Sequence, residues 1–443
     1  MFIGILHFSC SLEEEVFSSF DPDGFFETAA DAELGLVGIY NGVGQYYQGP
    51  NWFGLVNLMD DHLSQPGATA DRIEFDEYEV ANANLLVENG WRESYSIIAR
   101  ANLVIERVAA SEIIIESDRN RVVGQARFLR ALAYFNLVRL YGEVPLIVEF
   151  GPVNNDIAPS PVGDIYTQMI EDLTIAESSL SPGPSDGFVS QGGVQSLLAK
   201  VYLYNNDYTN ALSKAEAVIN SGVYSLVPDF YNLWLPSNEN SSEHIFSAQF
   251  NPGAITNSLD QFVATGASPL RDGAFGSFLI HEDFFTNYPD DDYRKSVIFL
   301  DEEGIQVVGK FLDQSGNSVG GAQGMNIPII RYADVLLIAA EAENELNGPD
   351  NAYQYINEVR TRARNAGGTL AVAPADLSGL TQADFRNAVY RERELELCFE
   401  GQRWFDLVRQ GQFVEVLGPL GATEGDQFLP YPQIDLEIND MLQ

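Results

Sequence analysis

Apolar residues recur at steps of three and four along most of the chain, the period of an α-helix with one buried face. Over residues 23–40 such a stripe runs through Phe25, Ala29 or Ala30, Leu34, Val37 and Tyr40. A longer one, predicted over residues 78–108, carries Trp91, Tyr95, Ile98, Asn102 and Ile105. Asn102 sits inside that stripe and must therefore find hydrogen-bond partners within the protein. Residues 121–141 are apolar almost all round (Phe128, Leu132, Tyr134, Phe135, Leu137), which predicts a buried helix ended by Gly142 and Pro145. Ile165, Met169, Leu173 and Ala176 mark another, stopped by Ser181, Pro182, Gly183 and Pro184. Between the first two helices, residues 42–54 mix Gly with Tyr46, Tyr47, Trp52 and Phe53, a loop-like composition.

Ala199, Tyr202, Tyr208 and Ala211 then fall at the spacing of the small and aromatic positions of a tetratricopeptide helix pair, with Asn205, Asn206 and Asp207 as the turn. The same twelve-residue step separates Ala340 from Ala352 across Asn347, Gly348, Pro349 and Asp350. Small residues belong there because the two helices approach closely. Helical periodicity fades over residues 227–326, where Gly, Asp, Asn, Pro and aromatic residues dominate. A hundred-residue stretch of that kind is too long for an idle loop and reads as a folded insertion with short strands, at residues 244–250 and 296–300. Helices are predicted to resume over residues 328–346, 352–364 and 382–410. The expected fold is mainly α: a tetratricopeptide-like helical-pair scaffold over about 23–226 and 327–412, with a loop-rich insertion at about 227–326 that contains a few short strands.

Composition narrows the function. Of 443 residues 45% are apolar and 12% aromatic, enough for a large core. Asp and Glu total 64 against 24 Lys and Arg, a formal charge of −40 that repels nucleic acid and anionic lipid. The four histidines (His7, His62, His244, His281) form no metal-ligand spacing, and no phosphate-binding loop or nucleophile elbow occurs. Asp290, Asp291 and Asp292 leave calcium open as a ligand, although they lack the alternation of an EF-hand loop. No catalytic residue is assigned, and no cofactor is required. The charged run containing Arg391, Glu392, Arg393, Glu394, Glu396, Glu400, Arg403, Asp406 and Arg409 has helical spacing and predicts structural ion pairs, as do Arg331 and Asp334.

There are two cysteines. Cys398 lies in a helical pattern and reads as a small buried apolar residue. Cys10 follows the apolar run of residues 2–8 and precedes Glu13, Glu14 and Glu15, an arrangement expected at the end of a lipoprotein signal segment whose charged start is missing. Lipidation is thus expected at Cys10, with residues 1–10 as a truncated signal segment and 11–443 as one domain.

Several blocks together resemble the SusD/RagB family of outer-membrane nutrient-binding lipoproteins. They include Asp23-Gly24-Phe25-Phe26, Trp91, Tyr95 and Ala101-Asn102, then Arg127-Phe128-Leu129-Arg130-Ala131 and Tyr141-Gly142-Glu143-Val144-Pro145. The C-terminal third adds Arg331-Tyr332-Ala333-Asp334, Glu392-Arg393, Phe399-Glu400-Gly401, Arg403, Asp406-Leu407 and Leu429-Pro430-Tyr431-Pro432. The chain stops at Gln443, a little before relatives usually end. The resemblance implies a lipid-anchored protein on the surface of the outer membrane of Bacteroidetes-type bacteria, seated on a TonB-dependent SusC-like transporter. It implies capture of an oligo- or polysaccharide, without catalysis, and its delivery to that transporter. It also implies a ligand site built from an early loop and the central insertion.

Sugar binding needs flat apolar faces for pyranose C–H groups and planar polar groups for the hydroxyls. Tyr46, Tyr47, Trp52, Asp61 and His62 from the early segment, with Phe284, Tyr288 and Tyr293 from the insertion, are the candidates. Trp91, Tyr95, Trp234 and Trp404 belong by their spacing to the core. The acidic surface favours neutral over anionic glycans. A peptide- or protein-binding tetratricopeptide lipoprotein is the alternative, with its ligand along a helical groove.

Overall fold

The computed structural model describes residues 26–65, 69–151, 156–184, 187–251, 255–315 and 324–443. Cys10 and the block from Asp23 to Phe25 lie outside them. Twelve helices form the frame: α1 Ala29–Tyr47, α2 Gly49–Asn57, α3 Ala70–Asp76, α4 Leu85–Ala109, α5 Glu116–Tyr141, α6 Val162–Ser179, α7 Gln191–Tyr204, α8 Tyr208–Ser221, α9 Tyr332–Asn347, α10 Tyr353–Ala363, α11 Gln382–Leu397 and α12 Arg403–Arg409. Helices α4, α5, α6, α7 and α8 pack in succession, and α9 closes on α8, α10 and α11. The result is the mainly helical, tetratricopeptide-like fold that the sequence predicts.

Local chemistry sets several of the boundaries. Thr28 and Asp31 form a reciprocal capping box at the start of α1, five residues after the predicted start. The predicted stripe is also displaced, since Leu34 is 61% exposed while Ala32, Leu36, Ile39 and Val43 are buried. Both stripes have helical spacing, and packing against α4 and α5 selects the second. Residues 42–54, predicted as a loop, are almost wholly helical: α1 runs to Tyr47, Gln48 is extended, and α2 begins with Pro50 in its first turn. Glycine costs a helix about 0.5–1 kcal/mol per residue. Here that cost is offset by the buried rings of Tyr46, Tyr47, Trp52 and Phe53.

The stripe of α4 is as predicted, and its polar member is satisfied. The Asn102 side-chain amide donates to the Ile147 carbonyl at 3.0 Å, and its Oδ1 accepts from Arg130 Nη1 at 2.7 Å. Arg130 also grips Asp172 of α6 through Nε and Nη2, at 2.8 and 2.7 Å. One buried guanidinium thus joins three helices. The repeat of α7 and α8 turns at Asn206, whose φ is +58°, and Asp207 caps α8 by accepting from the Asn210 N–H. Ala199 and Ala211 are fully buried where the pair closes.

Between α8 and α9 the chain makes short antiparallel pairs. Strand β1 (Leu63–Ser64) pairs with β3 (Leu279–Ile280), β2 (His244–Ala248) with β6 (Ile327–Arg331), and β4 (Phe299–Glu302) with β5 (Ile305–Val308). The strand predicted at 296–300 begins only at Phe299, because Arg294–Ile298 is a helical turn. The helix predicted from 328 begins at Tyr332, since residues 327–331 pair with β2. The single helix predicted over 382–410 breaks between α11 and α12. Phe399 and Gly401 there have φ of +65° and +66°, and a β-carbon on Gly401 would sit 2.7 Å from Val56 of α2. Close approach of α2 forces the break.

Buried ion pairs lock the insertion to the C-terminal helices. Arg331 binds Glu243 at 2.6 Å and Glu400 at 2.7 Å. Lys310 Nζ donates to Glu400 Oε1 at 2.6 Å and to the Cys398 carbonyl at 2.9 Å. Arg294 reaches Glu392 and Glu396 at 2.8 and 2.9 Å, and Arg362 also contacts Glu396. Asp334 bridges Lys200 and Arg393, both at 2.8 Å. The charged C-terminal run is therefore structural, as expected, but mostly through partners distant in sequence; its local pairs are Arg391 with Glu394 and Arg409 with Asp406. Arg403, three residues before Asp406, turns instead to Asp61, and Asp406 takes Arg393 and Arg409.

Candidate functional site

The early segment and the insertion do meet. After α2 the chain passes through β1, which pairs with β3, and the His281 N–H donates to the His62 carbonyl at 2.9 Å. The start of α2 is pinned as well: Gln48 Nε2 donates to the Thr256 carbonyl, and the Gly49 N–H donates to Asn257 Oδ1 at 3.3 Å. The insertion's helical turn Leu259–Val263 then packs on α2.

At this junction most of the aromatic side chains predicted to bind sugar face inward, which corrects that expectation. Tyr288 is 1% exposed, and its hydroxyl donates to the Leu395 carbonyl at 3.2 Å. Phe284 is buried and stacks on His62 with ring centroids 3.9 Å apart. Tyr47 is buried and accepts from Asn136 Nδ2 at 3.0 Å. A ring with both faces in van der Waals contact has none left for a pyranose. Tyr293 is half-buried and spends its hydroxyl on Asp229 Oδ1 at 3.1 Å. Asp61 is held by Arg403 through two 2.8 Å bonds.

His62 is fully buried, with Asp61, Asp60 and Glu394 carboxylate oxygens 3.8, 3.9 and 4.0 Å from its ring nitrogens. Burial pushes its pKa down to about 3, against the pull of Asp61, so the ring is neutral. Burial and then the neighbouring Asp61 push the Asp60 carboxyl well up. Among the described residues no group of three or more His, Cys, Asp or Glu side chains is arranged to hold a metal. Asp290 and Asp292 are paired with Lys295 and Arg294, both at 2.6 Å.

Four of the predicted residues line concavities: Tyr46, Tyr47 and Trp52 share one of about 30 Å³, His62 lines one of about 10 Å³, and Tyr46 and Trp52 also reach a larger one. Tyr46 and Trp52 line a cleft of about 240 Å³ between α2 and the first half of α4, together with Gln48, Asn51, Asn89 and the charged Arg92 and Glu93.

The ring most open to solvent at the junction is Phe275, 62% exposed. It is fixed in place, because its N–H donates to the Gln261 carbonyl at 2.7 Å, and the next two N–H groups bond the Ala264 and Phe262 carbonyls at 2.8 Å. Phe275 meets the Phe262 ring edge-on at 5.1 Å. Beneath, the Arg72 guanidinium lies 5.0 Å from both the Phe262 and the Phe278 rings, and Phe278 packs at 4.9 Å on Phe53 of α2. A ladder of π-faces thus runs from the core to an exposed, immobilised ring. Periodicity misses it because Phe262 and Phe275 lie in a stretch without helical or strand pattern. The available signal was a phenylalanine flanked by Gly273 and Gly276.

Among the described residues, no helix is long and apolar enough to cross a membrane. Residues 283–428 match the profile of the SusD family, and residues 19–203 match a profile described as starch-binding, associating with outer membrane. A SusD-like protein of Formosa agariphila is 29% identical over 98% of this chain and 95% of its own length. The crystal structure of a SusD superfamily protein from Parabacteroides distasonis superposes with a TM-score of 0.85, at 25% identity, covering 93% of this chain and 98% of that one. A structure described as a laminarin binding SusD-like protein does so with a TM-score of 0.81, at 25% identity, covering 94% and 98%.

Proposed function

Because the chain belongs to the SusD/RagB family, whose members are carbohydrate-binding proteins, we propose that it captures a neutral glycan on the Phe275 platform and passes it to a TonB-dependent outer-membrane transporter. The observation that carries this reading is the solvent-facing Phe275 ring, anchored through Phe262 and Arg72 where early segment and insertion meet. A fixed aromatic face binds the C–H face of a sugar without having to order a mobile side chain first. The amides of the cleft lined by Tyr46 and Trp52 are suited to sugar hydroxyls. A charge of −40 disfavours polyanions and is indifferent to neutral polymers. Laminarin, a neutral glucan, is the first ligand to test, since a relative of the same fold is described as binding it.

No reaction is assigned to the site: its groups are an aromatic ring, amides and paired ions. The protein acts at the cell surface, held there by lipid at Cys10.

Affinity gels containing laminarin and a panel of other neutral and acidic polysaccharides test the reading. Retardation of the wild type in a neutral gel, abolished by Phe275→Ala at unchanged melting temperature, is expected. Retention that Phe275→Ala leaves intact would move the site elsewhere, and retention of peptides but of no polysaccharide would sink the glycan reading. Delivery predicts co-purification of a TonB-dependent transporter from solubilised outer membranes.

A further inference from the structure

A larger cleft opens where α1 faces residues 247–251 and Ile255 of the insertion. It has a volume of about 420 Å³ and is bounded by α1, the segment before α7 and the end of β2, through Tyr40, Asn41, Phe188, Gln249, Asn251 and Ile255 among others. It shares no lining residue with the Phe275 ladder or with the cleft over Tyr46 and Trp52. Its size falls in the range of preformed small-ligand sites.

Its walls are rigid. The Tyr40 hydroxyl donates to Gln125 Oε1 at 2.7 Å and accepts from the Val189 N–H at 3.0 Å, which fixes the ring. Phe188 stands at 87° to that ring with centroids 5.0 Å apart and is 40% exposed. Gly187 has a φ of +83°, and a β-carbon there would come within 3.0 Å of Gln249, so only glycine sets Phe188 this close to β2. The Gln249 amide is held in one orientation by a reciprocal pair with Asn240, at 2.9 and 3.0 Å, by Asn326 at 3.0 Å and by the Ser247 carbonyl at 3.1 Å, so it shapes the wall with its own hydrogen-bonding groups engaged.

Among the described residues no charged side chain lines this cleft, although the chain carries 64 acidic and 24 basic residues. It offers two aromatic rings at right angles and a rim asparagine, Asn41. Wholly apolar ligands would desolvate the amides without return, and ions would find no counter-charge. A pyranose matches both kinds of wall, its C–H face on a ring and its hydroxyls toward the Asn41 amide. We propose that this cleft is a second saccharide site, independent of the Phe275 platform and specific for uncharged sugar units. The inference rests on the glycan-binding reading.

The test is isothermal titration of the full chain with a hexasaccharide of whichever panel polysaccharide is retained, laminarihexaose first, on the wild type, Phe275→Ala, Phe188→Ala with Asn41→Ala, and the combination. Phe188 and Asn41 are exposed, so melting temperatures should match. The expected result is two sites in the wild type, one in each single-site variant and none in the combination. A single site, lost in Phe275→Ala and unchanged by the Phe188 and Asn41 substitutions, overturns this proposal and leaves the glycan reading standing. No binding of any panel sugar overturns both.

Discussion

Arg403 and Asp61 form a bidentate ion pair, Nε to Oδ1 and Nη2 to Oδ2 both at 2.8 Å, between residues separated by most of the chain. The pair ties the segment after α2 to the start of α12. It also holds the Asp61 carboxyl well below the usual range despite burial, because Arg403 favours the ionised form. Asp61→Asn leaves the guanidinium with only the more distant Glu394, at 3.6 Å, and should cost about 1–3 kcal/mol, measured by chemical denaturation. Glycan retention by the folded protein should not change, and a selective loss of retention would return Asp61 to the binding site.

Tyr288 separates packing from recognition in the same way. Its ring is in the core and its hydroxyl makes one hydrogen bond, to the Leu395 carbonyl. Tyr288→Phe should cost about 0.5–1.5 kcal/mol, and Tyr288→Ala about 3–5 kcal/mol. Both follow from thermal melts, with ligand affinity of the folded fraction equal to wild type.

Gly401→Ala combines two penalties. The residue has a φ of +66°, and the new methyl would lie 2.7 Å from Val56. Backbone strain and overpacking together should lower stability by about 2–4 kcal/mol. A melting temperature within a degree of wild type would show that α2 can retreat from the turn.

Stability should peak in mildly acidic solution. For Glu396, Glu400 and Asp406 burial opposes ionisation, but the arginines around them more than offset it and hold their pKa values down. Their contribution is complete above the unfolded carboxylate range and is lost as the pH falls through the depressed values. Glu239 behaves oppositely: burial pushes it up to about 7, partly countered by the Asn326 N–H at 2.7 Å. Its raised pKa favours the folded state at low pH, and that benefit disappears as the pH rises from 4.5 to about 7. Glu239→Gln should therefore raise stability above pH 7, by on the order of 1 kcal/mol after allowing for partial exposure, and leave it unchanged at pH 5. Equal melting curves for the two proteins at pH 8 would contradict this.

Periodicity carried the helical frame because the rows that α4, α5, α7 and α8 bury are local: Trp91, Ile98 and Ile105 share one face whatever packs on it. The repeat spacing of Ala199 and Ala211 likewise announces a close helix pair. Periodicity did not carry the choice between two stripes on α1, where Leu34 and Ala32 are equally well spaced and only α4 and α5 decide. Nor did composition separate loop from helix at residues 42–54, since glycine is tolerated where the helix gains buried aromatic surface.

What the sequence by itself determined is the class of the protein: a helical-pair scaffold with a long insertion, an acidic surface, and a charged C-terminal run whose helical spacing suits ion pairs. Those properties follow from local spacing and summed charge. Only the tertiary structure decided which aromatic residues face solvent. Tyr288 and Phe284 are as aromatic as Phe275, and the glycines near Phe275 are the local difference between them. The difference in exposure arises from long-range packing, which buries the first two among Phe299 and Phe399 and lifts Phe275 outward on a loop bonded to Gln261 and Ala264. Accessibility is a property of the assembled chain, and so is a binding surface.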